Sequence, residues 1–143
     1  MIGAISTCLK DPVYILTEDQ RKETILDFFK YLYKKIPMNV RDKKPIVIID
    51  NLSGHHSNIV TAYCNSKFDL WFIPPYSCEF NSIETYWAIA KRAYKKANLV
   101  HRFTIKTREE FLNSVRNCLK IKTETHHNLC NANRDYLQKI LTS

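Results

Sequence analysis

Two acidic residues, Asp50 and Glu84, stand where a folded chain could use them as metal ligands. Asp50 follows the apolar run Pro45–Ile49, and in open α/β sheets ligands collect beyond the carboxyl ends of the strands. Glu84 lies in the first turn of a predicted helix, after a loop at Pro74–Ser77. Two carboxylates in one crevice would suit Mg²⁺, which prefers oxygen ligands and needs few from the protein. Alternatively, Asp50 is a surface acid that ends a strand, and Glu84 stabilises a helix N-terminus.

Positive charge is concentrated in one segment of the chain. Residues 88–122 contain ten basic and two acidic residues, an excess equal to the net charge of +8 of the whole protein. A chain that has no net charge apart from one basic segment is typical of proteins that bind a polyanion. Helical spacing places Lys91, Arg92, Lys95 and Lys96 opposite an apolar stripe, so we expect these cations to contact phosphates. The alternative is a solvated helix face that keeps the protein soluble.

The pattern of apolar residues and turns predicts an α/β fold with a mixed sheet and the order β-β-α-β-α-β-α-α-α. The predicted strands are Ile2–Leu9, Val13–Leu16, Pro45–Asp50 and Asp69–Ile73. We expect the last two to pair in parallel and to be buried on both faces. Capping boxes beginning at Thr17 and Thr107 predict the starts of two helices. Other helices are predicted at about Ser57–Ser66, Ser82–Leu99 and His127–Leu141.

Composition restricts the class of protein. The 143 residues suit one domain, and only two are glycine, which argues against a glycine-rich phosphate loop. No apolar run reaches the ~18 residues of a membrane span. Five scattered cysteines favour reduced thiols inside a cell. His126, His127 and Cys130 could suggest zinc, but no second Cys or His pair lies near them in sequence, so a polar helix start is the preferred interpretation.

Three sequence motifs resemble a known family. They are Asp50-Asn-Leu-Ser-Gly-His-His-Ser57, then Ile73-Pro-Pro-Tyr-Ser-Cys-Glu-Phe-Asn-Ser-Ile-Glu84, and then Trp87 with Lys91-Arg92. In this order and spacing they resemble the catalytic domain of Tc/mariner-type DDE transposases, also called DDE superfamily endonucleases. The sequence departs from the family pattern at Cys78 and Ser82, where the family usually has prolines.

The resemblance implies a ribonuclease H-like mixed sheet flanked by helices, followed by C-terminal helices. It implies a single partial catalytic domain over residues 1–143, with a core at 1–100 and C-terminal helices at 101–143. Asp50 would be the second acid and Glu84 the third acid of a site for two Mg²⁺ or Mn²⁺ ions. Asn51 and His55 match positions beside the metals, although a turn Asn and a helix-capping His are equally acceptable interpretations.

The first acid of the family has no counterpart in this sequence. In the family it lies on a central strand upstream of the predicted hairpin, whereas this chain begins at Met1 inside what resembles the second strand. We therefore expect the chain alone to be inactive. We also expect the Ile2–Leu9 and Pro45–Asp50 strands each to expose unpaired backbone groups on the side where the missing strand would lie, and the hairpin to be the least secure element. A homodimer or another chain could supply the missing strand.

The resemblance implies a DNA transposase or integrase-type domain that cleaves phosphodiesters and transfers DNA strands. The alternatives are a non-catalytic DNA-binding remnant and a ribonuclease H-like nuclease completed by another chain. DNA is the expected partner, and we expect no association with a membrane. The expected location is intracellular, and nuclear if the source is a eukaryote.

Overall fold

The computed structural model describes residues 1–50, 57–75, 77, 80–101, 107–120 and 123–142. Over these ranges the elements follow the predicted order, with one additional short helix before the third strand. The strands are β1 (Ile2–Ala4), β2 (Val13–Ile15), β3 (Ile46–Ile49) and β4 (Asp69–Phe72). The helices are α1 (Lys22–Lys35), α2 (Met38–Arg41), α3 (Asn58–Lys67), α4 (Ser82–His101), α5 (Arg108–Cys118) and α6 (Thr123–Thr142).

The described strands form two separate two-stranded sheets. β1 and β2 pair antiparallel, with Ile2 opposite Ile15. β3 and β4 pair in parallel, with Ile46 opposite Asp69, as the sequence predicted. The α/β class and the mixture of parallel and antiparallel pairing are therefore confirmed. The continuous ribonuclease H-like sheet remains a prediction.

One hydrophobic core joins the two sheets through α1. The apolar stripe of α1 buries Ile25, Phe28, Phe29 and Leu32, and this cluster continues into both sheets and α3. Phe68, which follows α3, is fully buried, and its ring centroid lies 5.9 Å from that of Phe29. Helix α1 thus holds the β1–β2 hairpin and the β3–β4 pair against one body, although the strands of one pair are not hydrogen-bonded to those of the other.

The prediction that β3 is buried on both faces is wrong. Only Ile49 is buried, whereas Ile46 and Ile48 are 54% and 44% exposed. In the neighbouring strand, Trp71 lies opposite Ile48 and is itself 54% exposed. The prediction was wrong because an apolar, β-branched run does not show whether other elements of the protein cover one face of the strand or both. One face of β3–β4 packs on the α1 core, and the other face reaches solvent.

A second apolar cluster surrounds the middle of α4. Tyr86, Ala90 and Leu119 are buried in it, and Trp87 packs against them. The hairpin also contacts this cluster, because Ile5 and Tyr14 belong to its edge. Helices α1 and α4 therefore both pack against the hairpin, and its standing as the least secure element remains a prediction.

One predicted helix start is confirmed and the other is wrong. At α5, the Glu110 N–H donates to Thr107 Oγ1 at 3.2 Å and the Thr107 N–H donates to Glu110 Oε2 at 3.1 Å, which completes the capping box. Thr17 instead accepts the N–H of Asp19, and Asp19 accepts the Thr24 hydroxyl at 2.7 Å. These bonds form a turn, so α1 begins after it. The Thr24 hydroxyl, followed by the Arg21 N–H, lowers the pKa of the Asp19 carboxyl.

Candidate active site

Asp50 lies immediately after β3, at the carboxyl end of the parallel strand pair. The Ile73 N–H donates to the Ile49 carbonyl at 2.8 Å, so β4 remains paired with β3 up to the residue before Asp50. The Asp50 side chain is exposed. This pairing confirms the predicted backbone position: a carboxylate at the edge where two parallel strands end together.

Glu84 lies in the first turn of α4, where its N–H donates to the Asn81 carbonyl at 2.9 Å. Its side chain is exposed, and an acid at this point is favoured by the helix dipole. The position of Glu84 in the first helical turn is therefore as predicted. The two interpretations, metal ligand and helix stabilisation, are compatible because the same exposed carboxylate can serve both.

Helix α6 fixes the segment from which α4 begins. The Asn133 side-chain amide donates to the Phe80 carbonyl at 2.7 Å, and the Ser82 hydroxyl donates to the Leu129 carbonyl at 3.3 Å. The rings of Phe80 and Tyr136 stack with centroids 5.6 Å apart. These contacts position the first turn of α4, and with it Glu84. Sequence reasoning missed them, since partners so distant along the chain leave no local pattern.

The described carboxylates do not complete a metal site. In the part of the chain that the structure describes, no three His, Cys, Asp or Glu side chains are grouped so that they could hold a metal ion. Asp50 and Glu84 are oxygen donors of the kind that Mg²⁺ prefers, but they make up only part of a ligand set. Asn51 and His55, the predicted supporting residues, lie outside the described residues.

Four cations form an exposed basic surface on α4. Lys91, Arg92, Lys95 and Lys96 are all exposed, as their helical spacing predicted. Over the described residues, no carboxylate lies within ion-pair distance of any of the four. Exposed cations of this kind can contact the phosphates of a polyanion. The opposite side of the helix carries the buried Tyr86.

The two adjacent histidines of α6 make structural contacts. His126 Nε2 and His127 Nε2 lie 3.2 and 2.9 Å from the same acceptor, the Leu9 carbonyl oxygen, and His126 is fully buried. Burial, followed by the charge of Cys8, raises the pKa of Cys130 to about 11. The two histidines hold the hairpin to α6. The sequence predicted a polar helix start here, but α6 begins earlier, at Thr123, and His126 is buried against the hairpin.

The described fold is a mixed α/β protein with carboxylates at a strand end and at a helix start. A model of the DDE superfamily endonuclease family matches residues 1–106, about three quarters of the 143 residues. The chain belongs to the DDE superfamily endonuclease family. Searches of curated proteins and of solved structures found no match to it.

Family membership indicates a transposase-like nuclease function with DNA as the substrate. Enzymes of this family typically use a divalent metal. The resemblance carried by the motifs between Asp50 and Arg92 is thus confirmed at the level of the family. Among the described residues, no helix combines the length and the apolar character needed to cross a membrane.

Proposed function

We propose that the chain is a catalytic domain of a Tc/mariner-type DNA transposase, in which phosphodiester cleavage is followed by strand transfer. The observation that carries this proposal is the family match over residues 1–106, together with the location of Asp50 and Glu84 at a strand end and a helix start. Residues 1–100 would form the ribonuclease H-like core and residues 101–143 the C-terminal helices.

Asp50 and Glu84 are the proposed metal ligands of this domain, with Asn51 and His55 as supporting residues. Both carboxylates are exposed and can bind Mg²⁺ or Mn²⁺ without the cost of a buried charge. Two such ions, when bound, stabilise the attacking and leaving oxygens of a phosphodiester. The protein contributes the position of each ligand: the β3–β4 pairing fixes Asp50, and the contacts of α6 fix the start of α4.

We further propose that Asp50 and Glu84 need a third carboxylate, and that this chain alone neither cuts nor joins DNA. Within the described ranges, these two acids are not joined by a third metal-binding side chain. Catalytic geometry is demanding, since a misplacement of ~1 Å can reduce the rate ~100-fold. A pair of carboxylates would therefore bind metal weakly and support little turnover.

The open edge of β3 is the proposed place where a further strand joins the sheet. The carbonyls of Pro45 and Ile49 accept hydrogen bonds from β4 and the residue after it. In a parallel ladder the intervening Ile46 and Ile48 direct their backbone groups to the opposite edge. In the described chain no strand pairs with that edge. A second copy or another chain that adds a strand there would extend the sheet next to Asp50.

The alternative from a different class is a non-catalytic DNA-binding remnant. It is favoured by the exposed cations on α4 and by the incomplete ligand set among the described residues. A ribonuclease H-like nuclease completed by another chain is the second alternative, favoured by the open edge that β3 has within the described chain. Both alternatives keep the protein inside the cell, and in the nucleus of a eukaryotic host, because DNA is the ligand.

Metal binding and plasmid nicking together test the proposal. Amide NMR shifts of residues 82–85 during Mg²⁺ or Mn²⁺ titration should follow weak binding, and Asp50→Asn should abolish them. Glu84→Gln provides an independent second variant. Mn²⁺-dependent nicking abolished by Asp50→Asn would establish the enzyme and overturn the incomplete-site proposal. Shifts that survive Asp50→Asn, with DNA binding and no nicking, would favour the DNA-binding remnant.

A further inference from the structure

A basic cleft lies beside the hairpin, built from elements other than those that carry Asp50 and Glu84. It has a volume of about 770 Å³ and is lined by residues 9–12 of the β1–β2 connection, by residues 13–14 of β2, by Tyr31 and Lys35 of α1, and by Leu119 and Lys120 after α5. Concave sites of ~300–1,000 Å³ accommodate ligands of small-molecule size. We name this site the hairpin cleft.

The charge of the hairpin cleft favours an anion. Lys10, Lys35 and Lys120 line it against the single acid Asp11, and all four side chains are exposed. Among the described residues no carboxylate comes within ion-pair distance of the three lysines. They come from three segments distant in sequence, so the fold brings them together. Three ammonium groups around one concavity suit a ligand that carries more than one phosphate.

An aromatic ring stands beside these lysines. Tyr31 is 41% exposed, so its ring is accessible to a ligand. The Lys35 ammonium lies 5.2 Å from the centroid of the Tyr31 ring. An exposed ring next to a cation is the arrangement with which proteins bind single-stranded nucleic acid, because every base has a face that can stack.

We propose that the hairpin cleft binds a short single-stranded DNA segment, with a base stacked on Tyr31 and phosphates near Lys10, Lys35 and Lys120. A duplex keeps its bases inside the stack, so only an unpaired nucleotide can present a base to Tyr31. The inference rests on the proposed function for the choice of DNA as the polyanion. It assigns the single strand to a site separate from the basic surface of α4.

The test measures binding of a short fluorescein-labelled oligo-dT by fluorescence anisotropy, in EDTA so that no cleavage occurs. The variant Lys10→Gln/Lys35→Gln/Lys120→Gln should raise Kd roughly tenfold or more at low salt. The log–log salt slope should become shallower by about 2, at ~0.7 for each single-strand phosphate that the variant no longer neutralises. The matched control replaces three exposed lysines outside the cleft, Lys22, Lys34 and Lys43, and should change Kd little.

Two single variants separate the roles within the cleft. Tyr31→Leu should weaken binding of oligo-dT but leave unchanged the binding of an abasic strand of equal length, which offers no base to stack. Asp11→Asn should tighten binding, because it removes the one negative charge in the lining, and an unfolded protein could not produce this gain. Equal losses in the cleft and control triples, or no effect of Tyr31→Leu, would overturn the proposal.

These measurements distinguish a failure of the cleft proposal from a failure of the proposed nuclease function. Loss of oligo-dT binding in the cleft triple, with no metal-dependent nicking by any form of the protein, would support the cleft and contradict the nuclease. Nicking that needs Asp50, together with oligo-dT binding that is indifferent to the cleft triple, would support the nuclease and overturn the cleft.

Discussion

Gly3 of the hairpin lies directly against the indole ring of Trp87 on α4. A Cβ atom on Gly3 would lie 2.6 Å from Trp87 Cη2 and 2.7 Å from Cζ2, closer than carbon atoms can approach without a shift. The bare backbone of Gly3 therefore lets α4 pack on β1. Since α4 carries Glu84 in its first turn, this contact helps to fix the helix that presents the candidate ligand.

Gly3→Ala should destabilise the protein because the methyl group overlaps the Trp87 ring. Overpacking of this kind costs ~1–3 kcal/mol. At an unobstructed position, Gly→Ala would instead stabilise the protein by ~0.4–1 kcal/mol, by restricting the unfolded chain. The sign of the change in unfolding free energy, measured in urea, thus tests the contact.

The double variant Gly3→Ala/Trp87→Leu is the control for this contact. If the clash causes the loss of stability, the double variant should lose less unfolding free energy than the sum of the two single variants. The smaller leucine side chain leaves room for the methyl group. Additive effects, or a stabilising Gly3→Ala, would contradict the close packing of β1 on α4.

Tyr86→Phe should lower the unfolding free energy at neutral pH by ~1–3 kcal/mol. The Tyr86 hydroxyl donates to the Leu119 carbonyl at 2.6 Å in a fully buried position, so phenylalanine leaves that acceptor without this donor. Tyr31→Phe, at an exposed ring, is the control, and its unfolding free energy should lie within ~0.5 kcal/mol of that of wild type.

The difference between wild type and Tyr86→Phe should shrink at alkaline pH. Burial, followed by the charge of Tyr14, raises the pKa of Tyr86 from 10.0 to about 12 in the folded state. The folded protein therefore retains the Tyr86 proton at a pH at which the unfolded chain releases it. The stability from the neutral hydroxyl is complete below pH 10 and is lost between pH 10 and about 12. A difference that stays constant as the pH rises through this window would refute the linkage.

The sequence predicted the elements whose signals are local. The capping box of Thr107 and Glu110 marks the start of α5, and the positions of Asp50 and Glu84 follow from a strand end and a helix start. It could not predict what packs on those elements. The exposure of Ile48 depends on which layers cover β3, and that information is absent from a four-residue apolar strand.

Asn133→Leu should disturb the first turn of α4. Its amide donates to the Phe80 carbonyl at 2.7 Å, and leucine has a similar size but no donor. We expect the unfolding free energy to fall by ~1–3 kcal/mol, because the Phe80 carbonyl loses its donor. We also expect faster amide exchange at residues 82–86. If Glu84 binds metal, the affinity for Mn²⁺ should also fall. Asn133→Asp, which keeps the size but cannot donate from an ionised carboxylate, should behave similarly.

The control for Asn133→Leu is Ala132→Leu, at the preceding, exposed position of α6. It adds the same leucine to the same helix without removing a hydrogen bond, so it should change the unfolding free energy by less than ~0.5 kcal/mol. Equal effects of the two substitutions would show that the Asn133 amide does not hold the start of α4.

Replacing the four cations of α4, Lys91, Arg92, Lys95 and Lys96, with Gln should weaken binding of duplex DNA of every sequence alike. Phosphate contacts carry no base information, so affinity should fall without a change in sequence preference. The log–log salt slope should become shallower by ~0.9 for each phosphate that is no longer neutralised, and thus by about 3 to 4 if all four side chains bind phosphates.

The comparison for this variant replaces four exposed lysines away from α4, namely Lys22, Lys30, Lys34 and Lys43. Both variants remove four positive charges, so a general effect of net charge would weaken binding equally in the two proteins. A local DNA surface requires that only the α4 variant loses affinity and salt dependence. An unchanged slope in the α4 variant would exclude Lys91, Arg92, Lys95 and Lys96 from the DNA interface.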